Sequence, residues 1–233
     1  MSRRRDFLTT TFIGSGLIIT SSLSSASFAA EKEKKVMANE DLMREHGILR
    51  RALLVYNAVA RRLRQDPASI PVSAVAKTAK LFREFGEDYH ERRLEEKYIF
   101  PAVRKLKGQA SRYPDILQQQ HDRGRELTDY VTHVTRRGSI SSADAGPLAK
   151  ALQQFTLMYE NHAAREDTAV FTAWKDSLSE RTYDEFGEKF EEIEKEVFGH
   201  DGFDDALRQI ANIEEQLGLA DIAQFTMPKP PKG

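Results

Sequence analysis

Residues 148–173 read LAKALQQFTLMYENHAAREDTAVFTA. Leu148, Leu152, Phe155, Tyr159, His162, Glu166, Ala169 and Ala173 recur in alternating steps of four and three. That rhythm holds one stripe on one face of an α-helix and is the seam of a helix packed in a bundle. Two members of the stripe, His162 and Glu166, are polar and one turn apart, so both project into the seam. An ionised glutamate there is costly unless it is paired or bound to a cation.

The same rhythm extends upstream. Leu42, His46, Leu49, Leu53, Tyr56, Ala60 and Leu63 form a first stripe, with Asn39 expected as N-cap, Glu40 and Asp41 at the positive helix end, and Asp66-Pro67 as terminator. A second helix is expected over 72–107, with Val75, Ala79, Phe82, Phe85, Tyr89, Ile99, Phe100 and Val103 inward and a kink or stop possible at Pro101. Gly108 opens a loop, and Pro114 suits the first turn of a third helix carrying Leu117, His121, Gly124, Leu127, Val131 and Val134. Residues 137–146 read as a loop, with the fourth helix starting near Pro147. The expected fold is therefore all-α, an up-down four-helix bundle over 39–176. Two amphipathic stretches, 179–199 and 203–217, then make a C-terminal helical hairpin packed on it (177–226), followed by a Pro- and Lys-rich disordered tail over 227–233.

The chain has 233 residues, 30% of them charged, and a net charge of -1. Such balance gives no electrostatic reason to expect a nucleic-acid partner. With no cysteine, disulfides, thiolate nucleophiles, iron–sulfur clusters and Cys-type zinc sites are excluded. Residues 1–29 read as a signal peptide: three arginines, Arg3 to Arg5, a mild apolar run from Phe12 to Leu23, and small residues near Ala29. Arg4-Arg5-Asp6-Phe7-Leu8 resembles the twin-arginine export signal, although Arg3 stands where Ser or Thr is usual; an ordinary secretory signal is the alternative. The expectation is a periplasmic or secreted protein that meets a membrane only during export, with a charged lead-in over 30–38.

Four of the six histidines, His46, His90, His121 and His162, fall one to each bundle helix. A lone histidine on an apolar face is usually a core residue satisfied by one hydrogen bond. One per helix in a four-helix array is how bundles build metal sites, and imidazole is a common ligand of iron and zinc. The second and fourth helices also repeat a pattern: His90 with Glu95-Glu96 and Phe100, and His162 with Glu166-Asp167 and Phe171. In both, Phe lies five positions after the first acid, so the two halves read as weak repeats of one helical hairpin. Glu87-x-x-His90 matches the ferritin-like di-metal element, but that fold wants it twice and Tyr159 occupies the corresponding position. His133 and His200 lie off the seams.

Arg44-Glu45-His46, Tyr89-His90 with Glu95-Glu96 and Ile99-Phe100-Pro101, Gln120-His121 with Gly124, and His162 with Glu166-Asp167 together resemble the hemerythrin-like (HHE cation-binding) domains over about residues 40–175. The resemblance implies a carboxylate-bridged centre of two iron ions, with His46, His90, His121 and His162 as terminal ligands and Glu95 and Glu166 as bridges. Ligand type leaves manganese and zinc open. Two features depart from the pattern. His90 and Glu95 are five apart, about 140° round a straight helix, so either a π-bulge restores a common face or Glu91 or Glu96 is the ligand. Asp167 is likewise an alternate to Glu166. Oxygen carriers place a second histidine one turn after the third-helix histidine, and here that position is Arg125.

The resemblance implies an exported di-iron protein that binds dioxygen, nitric oxide or peroxide. The alternatives are a peroxidase- or ferroxidase-like redox enzyme on the same centre, and a metal-free helical interaction protein. Whether a substrate is turned over, and the oligomeric state, stay open in the sequence.

Overall fold

A computed structural model describes residues 36–231; the expected signal peptide, the lead-in up to residue 35 and the last two residues lie outside them. Among the described residues the chain is a helical bundle with no strand. It contains α1 (Ala38–Gln65), α2 (Val72–Leu81), a π-helical segment (Phe82–Ile99), α3 (Phe100–Val103), α4 (Tyr113–Thr135), α5 (Ser142–Arg165), a π-helical turn (Glu166–Val170), α6 (Phe171–Asp176), α7 (Glu180–Phe198) and α8 (Gly202–Gln216). α1 packs along α5, α4 packs on α2, the π segment and α5, and α8 lies against α1 and α2. No helix among them is long and apolar enough to cross a membrane.

Every residue of the first stripe is buried, as are all the core positions read on the second helix. On the second helix the spacing of buried residues changes. Phe85, His90, Glu95 and Phe100 recur every five residues, as do Tyr89, Leu94 and Ile99, and all seven are buried. Five-residue recurrence lies on one face only when hydrogen bonds run from residue i to i+5. The Phe100 N–H accordingly bonds to the Glu95 carbonyl. The π geometry extends well beyond a single bulge, and the helix passes through Pro101 to end at Val103 rather than near Lys107.

The fourth helix repeats the device in one turn, with the Phe171 N–H bonded to the Glu166 carbonyl. The extra residue advances the inward face by one. Val170, Phe171 and Trp174 are therefore the buried positions beyond Glu166, while Ala169 and Ala173, read as inward from the four-three rhythm, are only half-buried.

Two helix starts also differ. α5 begins at Ser142 rather than near Pro147, because the Ser141 hydroxyl accepts from the Asp144 N–H at 3.1 Å and caps the end. Asn39 lies inside α1, and its amide donates to the Phe171 carbonyl at 3.1 Å, tying α1 to α6 rather than capping.

α7 and α8 rest on the bundle through aromatic and ionic contacts. Trp174 is enclosed by Tyr183, Phe186 and Phe190, with ring centroids 5.2–5.9 Å away. Phe198 meets Tyr89 edge-on at 5.1 Å, the Arg44 guanidinium lies 4.1 Å over the Phe203 ring, and Arg51 pairs with Glu214. The turn between α7 and α8 needs Gly199, whose φ of 74° suits glycine. Residues 227–231 are exposed.

Candidate metal centre

The six residues read as ligands come together. His46 and His90 face each other with Nε2 atoms 3.0 Å apart, and His121 and His162 do the same at 3.1 Å. Between the two pairs lie the carboxylates of Glu95 and Glu166. Glu95 reaches His90 Nε2 with one oxygen and His121 Nε2 with the other, both at 3.3 Å. Glu166 Oε2 is 2.9 Å from His162 Nε2 and 3.5 Å from His46 Nε2. All six side chains are buried, at 2% exposure or less. The π-helical geometry accounts for Glu95: it sets the carboxylate on the His90 face despite the five-residue spacing.

Each histidine is held from behind by its other nitrogen. His46 Nδ1 is 2.7 Å from Asp167 Oδ1, His90 Nδ1 is 2.5 Å from Glu45 Oε2, His121 Nδ1 is 2.9 Å from Glu96 Oε1, and His162 Nδ1 is 3.0 Å from Gln120 Oε1. These partners are oxygen acceptors, so Nδ1 donates to them and Nε2 faces inward, free to ligate once it is deprotonated. Glu96 and Asp167, the alternate ligands, thus lie behind the histidines. Glu91, the third alternate, bonds with Arg125 at 3.1 Å, while the Tyr159 hydroxyl is 3.4 Å from its other oxygen.

The halves match in the roles of their residues. The acid after Glu95 or Glu166 holds the opposite half's histidine, and the phenylalanine five residues on stacks against that ring: Phe100 on His121 at 5.3 Å and Phe171 on His46 at 5.5 Å. The residue before the first and third histidines, Glu45 or Gln120, holds the histidine of its own half. This arrangement is the physical content of the repeat seen in the sequence.

The Nε2 atoms of four imidazoles converge on two buried carboxylates, none of whose four oxygens accepts an aligned hydrogen bond. Buried polar atoms are rarely left so. The donors of Glu95, His121, His162 and Glu166 lie within 4.8 Å of one another, as do those of His46, His90 and Glu95. Such sets of nitrogen and oxygen donors fit metal ions.

A family model for the hemerythrin HHE cation-binding domain matches residues 37–174. The chain belongs to that family. Uncharacterized protein Rv1995 of Mycobacterium tuberculosis (strain H37Rv) and uncharacterized protein Mb2018 of Mycobacterium bovis are each 42% identical to it over 197 residues, covering 84% of this chain and 76% of theirs. No solved structure gives a significant match. Membership in the hemerythrin HHE family and the buried His/Glu cluster together make this a metal-binding site, of the type that holds iron.

The electrostatics of the hemerythrin-like site without its metal show what the ion would replace. Burial disfavours charge on every group. Against it, Glu95 and Glu45 hold His90 well above its ordinary value, and Glu91, Glu95 and Glu96 do the same for His121. Burial also works to raise Glu166, but the adjacent His162 and His46 bring it down, and His90 and His121 lower Glu95. A metal would take over this neutralisation of the carboxylates.

Other sequence candidates stand apart. Glu87, the ferritin-like element, accepts from Thr128 at 2.5 Å and pairs with Arg83. His133 and His200 are exposed. Arg165 bonds with Asn161, not Glu166.

Proposed function

We propose that the chain holds two iron ions between these six side chains and binds a small diatomic gas or peroxide there. In this reading the bundle is an up-down four-helix bundle carrying a C-terminal helical hairpin. His46 and His90 would serve one ion and His121 and His162 the other, with Glu95 and Glu166 shared between them. The observation that carries the reading is the pair of buried carboxylates, without an aligned hydrogen bond to any of their oxygens, set between two facing histidine pairs.

When bound, the iron pair supplies reversible redox chemistry and open coordination positions. The chain's own part is orientation and exclusion. Nδ1 anchors fix each ring, stacked Phe100 and Phe171 keep water from His121 and His46, and Tyr159 presents a buried phenol beside the carboxylates. Export to the periplasm or outside is part of this proposal and rests on the N-terminal arginines and apolar run.

The test is elemental analysis of protein produced with iron available, with visible spectra taken reduced, oxidised and after peroxide. About two irons per chain with charge-transfer bands of an oxo-bridged pair supports the reading; metal-free protein after anaerobic reconstitution overturns it. A second reading, a redox enzyme, uses the same geometry and is separated by turnover of peroxide or Fe(II) instead of a stable adduct.

A further inference from the structure

The correspondence between halves breaks at Arg125. Arg50 and Arg125 each follow a histidine, His46 or His121, by four residues. Each also pairs with the acid that holds that histidine's Nδ1, Asp167 for Arg50 and Glu96 for Arg125. Yet the Arg50 side chain is 41% exposed and that of Arg125 only 10%. The cause is the residue after the second histidine of each half: Ala163 follows His162, whereas Glu91 follows His90. Glu91 is fully buried, and an unpaired carboxylate there is costly. Arg125 turns inward to meet it, with Nη2 3.1 Å from Glu91 Oε2 and in contact with Glu96, and Nη1 2.9 Å from Asp122.

Oxygens of Glu91 and Glu96 lie within 4.8 Å of each other beside the His121 ring, two carboxylates that could hold a cation. Two carboxylates suit a hard divalent ion such as Mn(II). The guanidinium already lies against both carboxylates. We propose that Arg125 is a built-in cation filling a third position beside the metal pair, and that it sets the chain's metal load by denying Glu91 and Glu96 to a further divalent ion. The proposal rests on the metal-pair reading for its setting, but its test does not depend on the absolute count.

Chelator-stripped wild type and Arg125→Ala are equilibrated with Mn(II) alone, and bound metal is counted by elemental analysis after dialysis. Arg125→Ala binds one ion more than wild type. Adding Glu91→Gln to it returns the count to the wild-type value, and Arg125→Lys, which keeps the charge, leaves it unchanged. The melting temperature of Arg125→Ala also rises with Mn(II) beyond the concentration that saturates wild type. Should Arg125→Ala fold poorly, Arg125→Met keeps the apolar stem and carries the same comparison. Equal counts in wild type and the neutral variants overturn the proposal. No bound metal in wild type overturns the metal-pair reading instead, and the difference between the two proteins still decides the role of Arg125.

Discussion

Each histidine of the centre uses both ring nitrogens, one facing inward and one tied to an oxygen behind it. The tie selects the tautomer and the ring orientation, and such outer partners commonly carry 10–100-fold in metal affinity, roughly. Glu45→Ala removes the partner of His90 without touching a proposed ligand. Its metal affinity should fall by about 10–100-fold, read by competition with a chromophoric chelator, while the helical circular dichroism stays near wild type. Unchanged affinity would show that Glu45 does not orient His90. His162→Ala removes a proposed ligand and should lose most bound metal, with a melting temperature that no longer responds to added iron. If metal and stability both stay near wild type, the metal-free interaction reading gains. Glu45 and Gln120 were visible in the sequence only as neighbours of histidines. Nothing in their spacing says that a residue will reach the ring of the next helix, since that contact depends on the relative rotation of packed helices.

At the scale of helices, the four-three rhythm of α1 and α5 was enough to read their inward faces, because regular α geometry repeats whatever the neighbours do. The second helix resisted that reading. His90 and Glu95 are five apart, and only the run of buried residues at the same interval shows how far the π geometry extends. The starts of α1 and α5 were misread for a related reason: caps are decided by single side chains, Ser141 at one end and the tertiary partners of Asn39 at the other. α7 and α8 were legible as two amphipathic helices, but the residue on which α7 rests, Trp174, was not singled out. Trp174→Ala empties a site lined by Tyr183, Phe186 and Phe190 and should cost about 3–5 kcal/mol. Denaturant unfolding checks this. A loss below about 1 kcal/mol would mean that α7 is not held by this cluster.

For the whole molecule, the centre makes stability depend on metal and pH together. In the metal-free protein the carboxylates Glu95 and Glu166 are lowered from 4.5, so their contribution is present above that value and lost as pH falls through the lowered range. His90 and His121 are raised above 6.5. Their contribution is full below 6.5 and is lost as pH rises through the raised range. The metal-free protein should therefore be most stable between about pH 5 and 6.5 and weaken towards alkaline pH. The loaded protein should behave in the opposite sense over neutral pH, since its ligands must be deprotonated and acid releases the metal. Melting temperatures from pH 5 to 9, with and without iron, check both arms. Parallel curves would contradict a metal-dependent core.

The crossed anchoring of His46 and His121 has a consequence for biosynthesis. His46 leaves the ribosome early, but its Nδ1 partner, Asp167, is made more than a hundred residues later. The first helical hairpin alone contains His46, His90 and Glu95, yet one of its rings lacks an anchor and half of the donor set is missing. A nascent chain is thus a poor trap for passing ions until nearly the whole bundle has been translated. On the proposed reading, the metal captured would be set in the compartment where the finished fold first closes, and not by what the growing chain encounters.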